Sequence, residues 1–299
     1  MDKILPRISN AHYNISVLLQ GRTLQTSINP ATHIVSSQWL AKHLDDLVII
    51  DCRFSLPEPN LGQQQYEAGH IPGAYYLDLN QHLSSPVQPH GGRHPLPDWS
   101  TFVDTLNLLG IQSSPQTPIV IYDASRFAFA ARLWWMLRYL GHDHVALLDG
   151  GIPAWIEAGL PLSQDIPKNQ VGQFVPQFQD GWIVDIDYVR QHQDKAGTVV
   201  IDSRSADRFR GEREPIDLIA GSVPGAVNYF WKDISHENGQ LKSPEALATH
   251  WQAVDAAEEV IVYCGSGVTA CVNLFSQVVA GKSMGKLYPG GWSDWCSYL

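Results

Sequence analysis

VIVYCGSGVTACVNLF, residues 260–275, changes character at Cys264. Val260, Ile261 and Val262 form a β-branched, continuously apolar run of the kind that suits a strand buried on both faces of a parallel sheet. Gly265, Ser266 and Gly267 then allow a tight turn. Beyond it, Val268, Cys271, Leu274, Phe275, Val278 and Val279 follow helical spacing up to Gly281. Strand, turn and helix in that order define an α/β unit, and such sheets bind ligands beyond the carboxyl ends of their strands. Cys264 stands at that end.

The rest of the chain repeats this unit. VIIDCRF (48–54) is echoed by VVIDSRS (199–205), and GHIPGA (69–74) by GSVPGA (221–226). PIVIYDASRFAFAARLWW (118–135) matches EVIVYCGSGVTACVNLF (259–275), and LLDGGIPAW (147–155) matches LYPGGWSDW (287–295). Four blocks in the same order at nearly constant offsets are a duplication. In the first half Ala130, Leu133, Trp134, Leu137 and Leu140 carry the helical stripe, and Gly141 closes it. The expected architecture is α/β: two tandem domains, each a doubly wound, mainly parallel sheet flanked by helices. The boundaries read as 34–163 and 182–299, with a polar, Pro- and Gln-containing linker at 164–181 and a loosely ordered extension at 1–33.

Composition narrows the function. Of 299 residues, 44% are hydrophobic, enough for a real core, and the net charge of −10 argues against a nucleic-acid partner. No apolar stretch reaches membrane-spanning length, and residues 1–32 lack a signal-peptide core. The four cysteines, 52, 264, 271 and 296, form no C-x-x-C pair, so reduced thiols in a cytoplasmic protein are expected. The histidines make no zinc-like set with them; His90/His94 and His142/His144 read as isolated loop pairs. No strand leads into G-x-G-x-x-G or a P-loop.

Cys264 is the exception among the thiols. Two glycines let several backbone N–H groups converge on one point, and the following helix start adds its positive end. Such a turn lowers a thiol's pKa and equally holds a sulfur-borne anion. The duplicate has Asp123 in place of the thiol and no glycines in the turn, so one half keeps the cradle and the other is expected to have lost it.

Over roughly residues 34–299 the chain resembles the two-domain rhodaneses, the thiosulfate and 3-mercaptopyruvate sulfurtransferases. GHIPGA, AARLWWMLRYLGHDHVALLDGG, YCGSGVTA and LYPGGWSDW carry the resemblance. It implies a catalytic second domain and a non-catalytic first one, and the duplication leads to the expectation that the first domain covers the active-site mouth. It also implies ping-pong transfer of a sulfane sulfur from a small donor, through a Cys264 persulfide, to cyanide or a thiol, including a thioredoxin-like protein, without metal or organic cofactor. Residues 265–269 (Gly265, Ser266, Gly267, Val268 and Thr269) would stabilise the transferred charge through their N–H groups. The loop resembles the mercaptopyruvate type, with Ser266 either bonding the donor or capping the helix. Arg208, in DSRSADRFRGE, matches the anion-binding arginine. The second arginine, usual just after Glu-Pro, is replaced by Ile216, with Arg213 the nearest substitute, and this departure leaves thiosulfate open as donor. The histidine that some members pair with the loop serine fits His70, which has an equally good structural reading beside a strand.

Two other classes compete. Phosphatases of this fold need an arginine six residues after the cysteine, where this chain has Ala270. A relay or protein-binding module would use Cys264 without fast turnover of a small donor.

Overall fold

The computed structural model describes Ile28 and residues 32–299. Of the loose extension expected at 1–33, only Ile28, Thr32 and His33 are among the described residues, and Ile28 is buried in the first domain beside Val35 and Leu40.

The apolar runs become short strands: β1 (Ile34–Val35), β2 (Val48–Asp51), β3 (Ala74–Tyr76), β4 (Ile119–Tyr122) and β5 (Val145–Leu148). The second half supplies β6 (Thr198–Asp202), β7 (Val227–Asn228), β8 (Glu259–Tyr263) and β9 (Lys286–Leu287). The first sheet has the order β1-β5-β4-β2-β3 and the second β7-β6-β8-β9. All strand pairs are parallel. A parallel bridge between Ile183 and Leu287 takes the place of β1 in the second sheet. Both faces of such sheets must be covered, which explains why β4 and β5 are buried throughout.

The duplication extends to single hydrogen bonds. Asp51 pairs with Tyr122 across β2 and β4, as Asp202 does with Tyr263 across β6 and β8. Each aspartate holds the arginine two residues on in a buried ion pair of 2.6 Å, Arg53 in one half and Arg204 in the other. The Tyr122 hydroxyl accepts from Ile71 N–H, and that of Tyr263 from Val223 N–H. These contacts fix the ends of the central strands, and with them the turns that follow.

The helical stripes form Ala130–Tyr139 and Ala270–Val279, and Gly141 and Gly281 follow them with left-handed φ of 81° and 72°. These two helices pack against each other across the domain boundary. Trp134 meets Phe275 edge-on at 5.1 Å, and one continuous apolar core joins β4 and β8 through them. Burying Phe275 fully is worth about 1.5–3 kcal/mol. The linker runs as a strap along the first domain: Gln170 and Gly172 donate to the carbonyls of Leu108 and Asn107, and Gln177 to that of Leu140. With the core shared and the linker tied down, the two turns face a common cleft.

Candidate active site

Cys264 follows β8 directly, and its own carbonyl and that of Gly265 accept N–H bonds from Trp292 (2.8 Å) and Ser293 (2.9 Å). Gly267 has φ 71°, and a Cβ there would lie 2.6 Å from Pro289 Cα, so the turn requires glycine. The chain curls so that the N–H groups of residues 265–269 have no acceptor among the described residues. They end at the start of the ten-residue helix Ala270–Val279. Free N–H groups and a helix start together favour an anion at this point.

The first domain shows what such a turn holds. The Asp123 carboxylate is buried and accepts N–H bonds from Ser125 (2.8 Å), Phe127 (3.1 Å), Phe129 (2.9 Å) and Ala130 (3.0 Å). Arg126 and Phe127 enter the left-handed region, φ 57° and 71°, to make this geometry without glycine. The expectation that this half had lost its cradle is therefore corrected: the cradle is present, and the chain's own carboxylate fills it. Burial raises the Asp123 pKa, and the four N–H bonds oppose that rise.

Charge gathers around Gly265. The Arg208 guanidinium donates to Glu214 through Nε (3.1 Å) and Nη2 (2.7 Å), and to Asp217 through Nη2 (3.3 Å). Glu214 also pairs with Arg204 at 3.1 Å, so the Glu-Pro carboxylate serves as a scaffold for both arginines. Arg213 pairs with Asp207 at 2.6 Å at the exposed rim. The sequence reading missed Arg93, which reaches the same place from the first domain and forms an ion pair with Asp217.

Ser266 is buried, and its Oγ lies 2.7 Å from Nδ1 of His94, the two hydrogen-bonded across the domain boundary. Burial, and then the nearby charges of Arg132 and Arg93, lower the His94 pKa to about 4, so the ring is neutral at pH 7. Arg132, fully buried, donates to the carbonyls of Gly267 (3.0 Å) and His94 (3.2 Å) and locks the cysteine turn to the His94 segment. His70, the histidine assigned by resemblance, is elsewhere. It is buried in the first domain, stacked on Tyr66 at 3.9 Å, with its nitrogens 2.7 Å and 3.1 Å from the carbonyl oxygens of Tyr66 and Asp165. Its neighbours fix it as a structural residue. The available clue to His94 was the Gly91-Gly92 pair just before it, both with left-handed φ, where a Cβ on Gly92 would strike Gly290 O.

These groups line a cleft of about 1130 Å³ between the domains, with Cys264, Ser266, Arg208, Arg93 and His94 in its wall and Arg213 at its edge. Burial raises the pKa of each of the other cysteines, Cys271 to about 12, and so keeps them as thiols of low reactivity. No helix among the described residues is long and apolar enough to cross a membrane.

Comparison with known proteins agrees with this geometry. The rhodanese-like domain pattern matches residues 36–158 and again 185–298. A probable 3-mercaptopyruvate sulfurtransferase of Pseudomonas aeruginosa is 40% identical over 272 residues, covering 89% of this chain and 95% of that protein. A putative thiosulfate sulfurtransferase of Mycobacterium tuberculosis is 35% identical over 258 residues, covering 85% and 89%. The crystal structure of SseA from Escherichia coli, described as a 3-mercaptopyruvate sulfotransferase of rhodanese fold, superposes with a TM-score of 0.74 at 32% identity, covering 88% of this chain and 99% of that one. The chain belongs to the rhodanese-like family, with the domain present twice, and is a sulfurtransferase.

Proposed function

We propose that the protein moves sulfur from a small mercapto-carboxylate, 3-mercaptopyruvate, through a persulfide on Cys264 to cyanide or a thiol. The observation that carries this reading is the turn of unclaimed N–H groups around a cysteine, set beside two arginines and a neutral Ser266–His94 pair. The Cys264 thiolate attacks the donor sulfur. The carbon–sulfur bond breaks, its electron pair passes into the enolate of pyruvate, and the proton released from the donor thiol ends on that carbon. Cysteine persulfide anion and pyruvate result. Cyanide then takes the outer sulfur as thiocyanate, or a thiolate takes it as a new persulfide, and the Cys264 thiolate returns.

The N–H groups of residues 265–269 compensate the persulfide charge without reorganising. The Ser266 hydroxyl, held by His94, is suited to the enolate oxygen, whose charge grows as the carbon–sulfur bond breaks. Cleaving thiosulfate needs no such donor; it would gain more from a cation at this place in the loop. Thiosulfate remains the second reading because Ile216 leaves Arg208 without a following arginine, and because the mycobacterial relative is named for it.

Steady-state kinetics with both donors and cyanide, on wild type and Cys264→Ser, test the reading. A much higher kcat/KM with mercaptopyruvate, lost in the variant, supports it. Preference for thiosulfate would replace the donor, and persulfide loading without turnover would make the protein a relay.

A further inference from the structure

Arg93 and Arg208 approach one point from opposite domains. A Cβ placed on Gly265 would lie 2.8 Å from Arg93 Nη2, 3.6 Å from Arg208 Nη2 and 3.9 Å from Arg208 Nη1. Their remaining nitrogens are largely spoken for: Arg93 Nη1 pairs with Asp217, and Arg208 uses Nε and Nη2 on Glu214 and Asp217. Arg93 Nη2 and Arg208 Nη1, like Arg93 Nε, have no hydrogen-bond acceptor among the described residues, and the first two lie beside Gly265, next to Cys264.

Arg93 is brought there by construction. Gly91 N–H donates to Asp294 Oδ1 at 2.7 Å and Arg93 N–H to Ser293 Oγ at 3.1 Å, while His90 Nδ1 is hydrogen-bonded to Ser297 Oγ at 2.8 Å. These bonds lash residues 90–93 to residues 293–297 at the C-terminal end of the second domain, and only glycine fits at 92. Burial, and next the neighbouring Arg208, lower the Arg93 pKa from the ordinary arginine value. Holding two guanidinium groups together is unfavourable unless anions compensate them, and among the described residues one carboxylate, Asp217, is shared by both.

We propose that Arg93 is a substrate-binding residue, and that it and Arg208 form a two-armed clamp, one arm from each domain, for the donor's carboxylate. The inference rests on the mercapto-carboxylate reading above and adds the residue that does the work Ile216 cannot. The clamp lies one residue from the nucleophile, which suits a donor whose carboxylate and sulfur are only a few bonds apart. It also gives the first domain a part in substrate binding: a second domain alone lacks one arm.

The test uses the full chain with Arg93→Gln, Arg93→Lys and Arg208→Gln. It reads KM and kcat for mercaptopyruvate and, separately, the dissociation constant for pyruvate, which has the carboxylate but no sulfur. Losing one charged hydrogen-bonding arm should raise KM and the pyruvate constant together by about 10- to 100-fold, well beyond the fall in kcat. Arg93→Lys keeps the charge and stem but not the fork, so its values should fall between wild type and Arg93→Gln. Wild-type constants in both Arg93 variants, with weakened binding in Arg208→Gln, would overturn the clamp and leave Arg93 structural. Should Arg93→Gln not fold, Arg93→Lys decides alone: wild-type KM contradicts the clamp and a raised KM supports it. A wild type that turns over thiosulfate but not mercaptopyruvate would remove the donor reading, and this inference with it.

Discussion

Acid should destabilise this site through His94. The ring is 7% exposed, hydrogen-bonded to Ser266 and close to Arg132 and Arg93, and burial leads the causes that lower its pKa from 6.5 to about 4. As pH falls through 6.5 the unfolded chain takes up a proton on His94, whereas the folded chain resists until about 4. Stability from this group is therefore complete above pH 6.5 and is lost progressively down to pH 4. At 1.36 kcal/mol per pH unit the whole interval is worth about 3 kcal/mol, and about 2 kcal/mol is gone by pH 5. The perturbation is His94→Gln, which keeps a hydrogen-bonding side chain near Ser266 and removes the titration. Urea unfolding at pH 7.5 and pH 5 gives the loss for each protein. Wild type should lose about 2 kcal/mol more than the variant over that range, on top of losses common to both. Equal losses would refute the claim that His94 is held neutral by its surroundings.

Three further outcomes follow from packing and backbone geometry. Asp123→Ala strips the acceptor from four N–H groups, three of them buried, and should cost about 2–4 kcal/mol in chemical unfolding, with far less effect on KM than on stability. Gly267→Ala forces a left-handed φ on a residue with a Cβ and pushes that Cβ into Pro289. It should cost at least about 1–3 kcal/mol and lower kcat more than KM is raised, because the cradle itself is displaced. Phe275→Ala opens the core shared by the domains and should cost about 3–5 kcal/mol, read as a fall in the unfolding midpoint.

The strands, the two pivotal helices and the nucleophile were legible because their signals are local. Continuous β-branched runs, glycines that stop helices and a cysteine at a strand end can each be read within a dozen residues, and the duplication confirmed each against its twin. Arg93, His94 and Arg132 were not legible in the same way. Their roles arise from contacts across the domain boundary, between residues far apart in the chain, which no periodicity encodes. His70 misled because a resemblance at one strand entry cannot show which histidine lies across from Ser266; both of its nitrogens face carbonyls of its own domain and linker. The first-domain cradle was hidden for a different reason. Glycine is the usual mark of left-handed backbone, and Arg126 and Phe127 adopt it here around a buried carboxylate.

The central claim is that Cys264 carries the sulfur. Mass spectrometry of the intact protein after incubation with mercaptopyruvate, without an acceptor, tests it most directly, with peptide mapping to place the modification. The account predicts a gain of one sulfur atom, located on Cys264, absent from Cys264→Ser and removed by cyanide. Sulfur on Cys52, Cys271 or Cys296, or an unmodified protein that still turns over the donor, would contradict it.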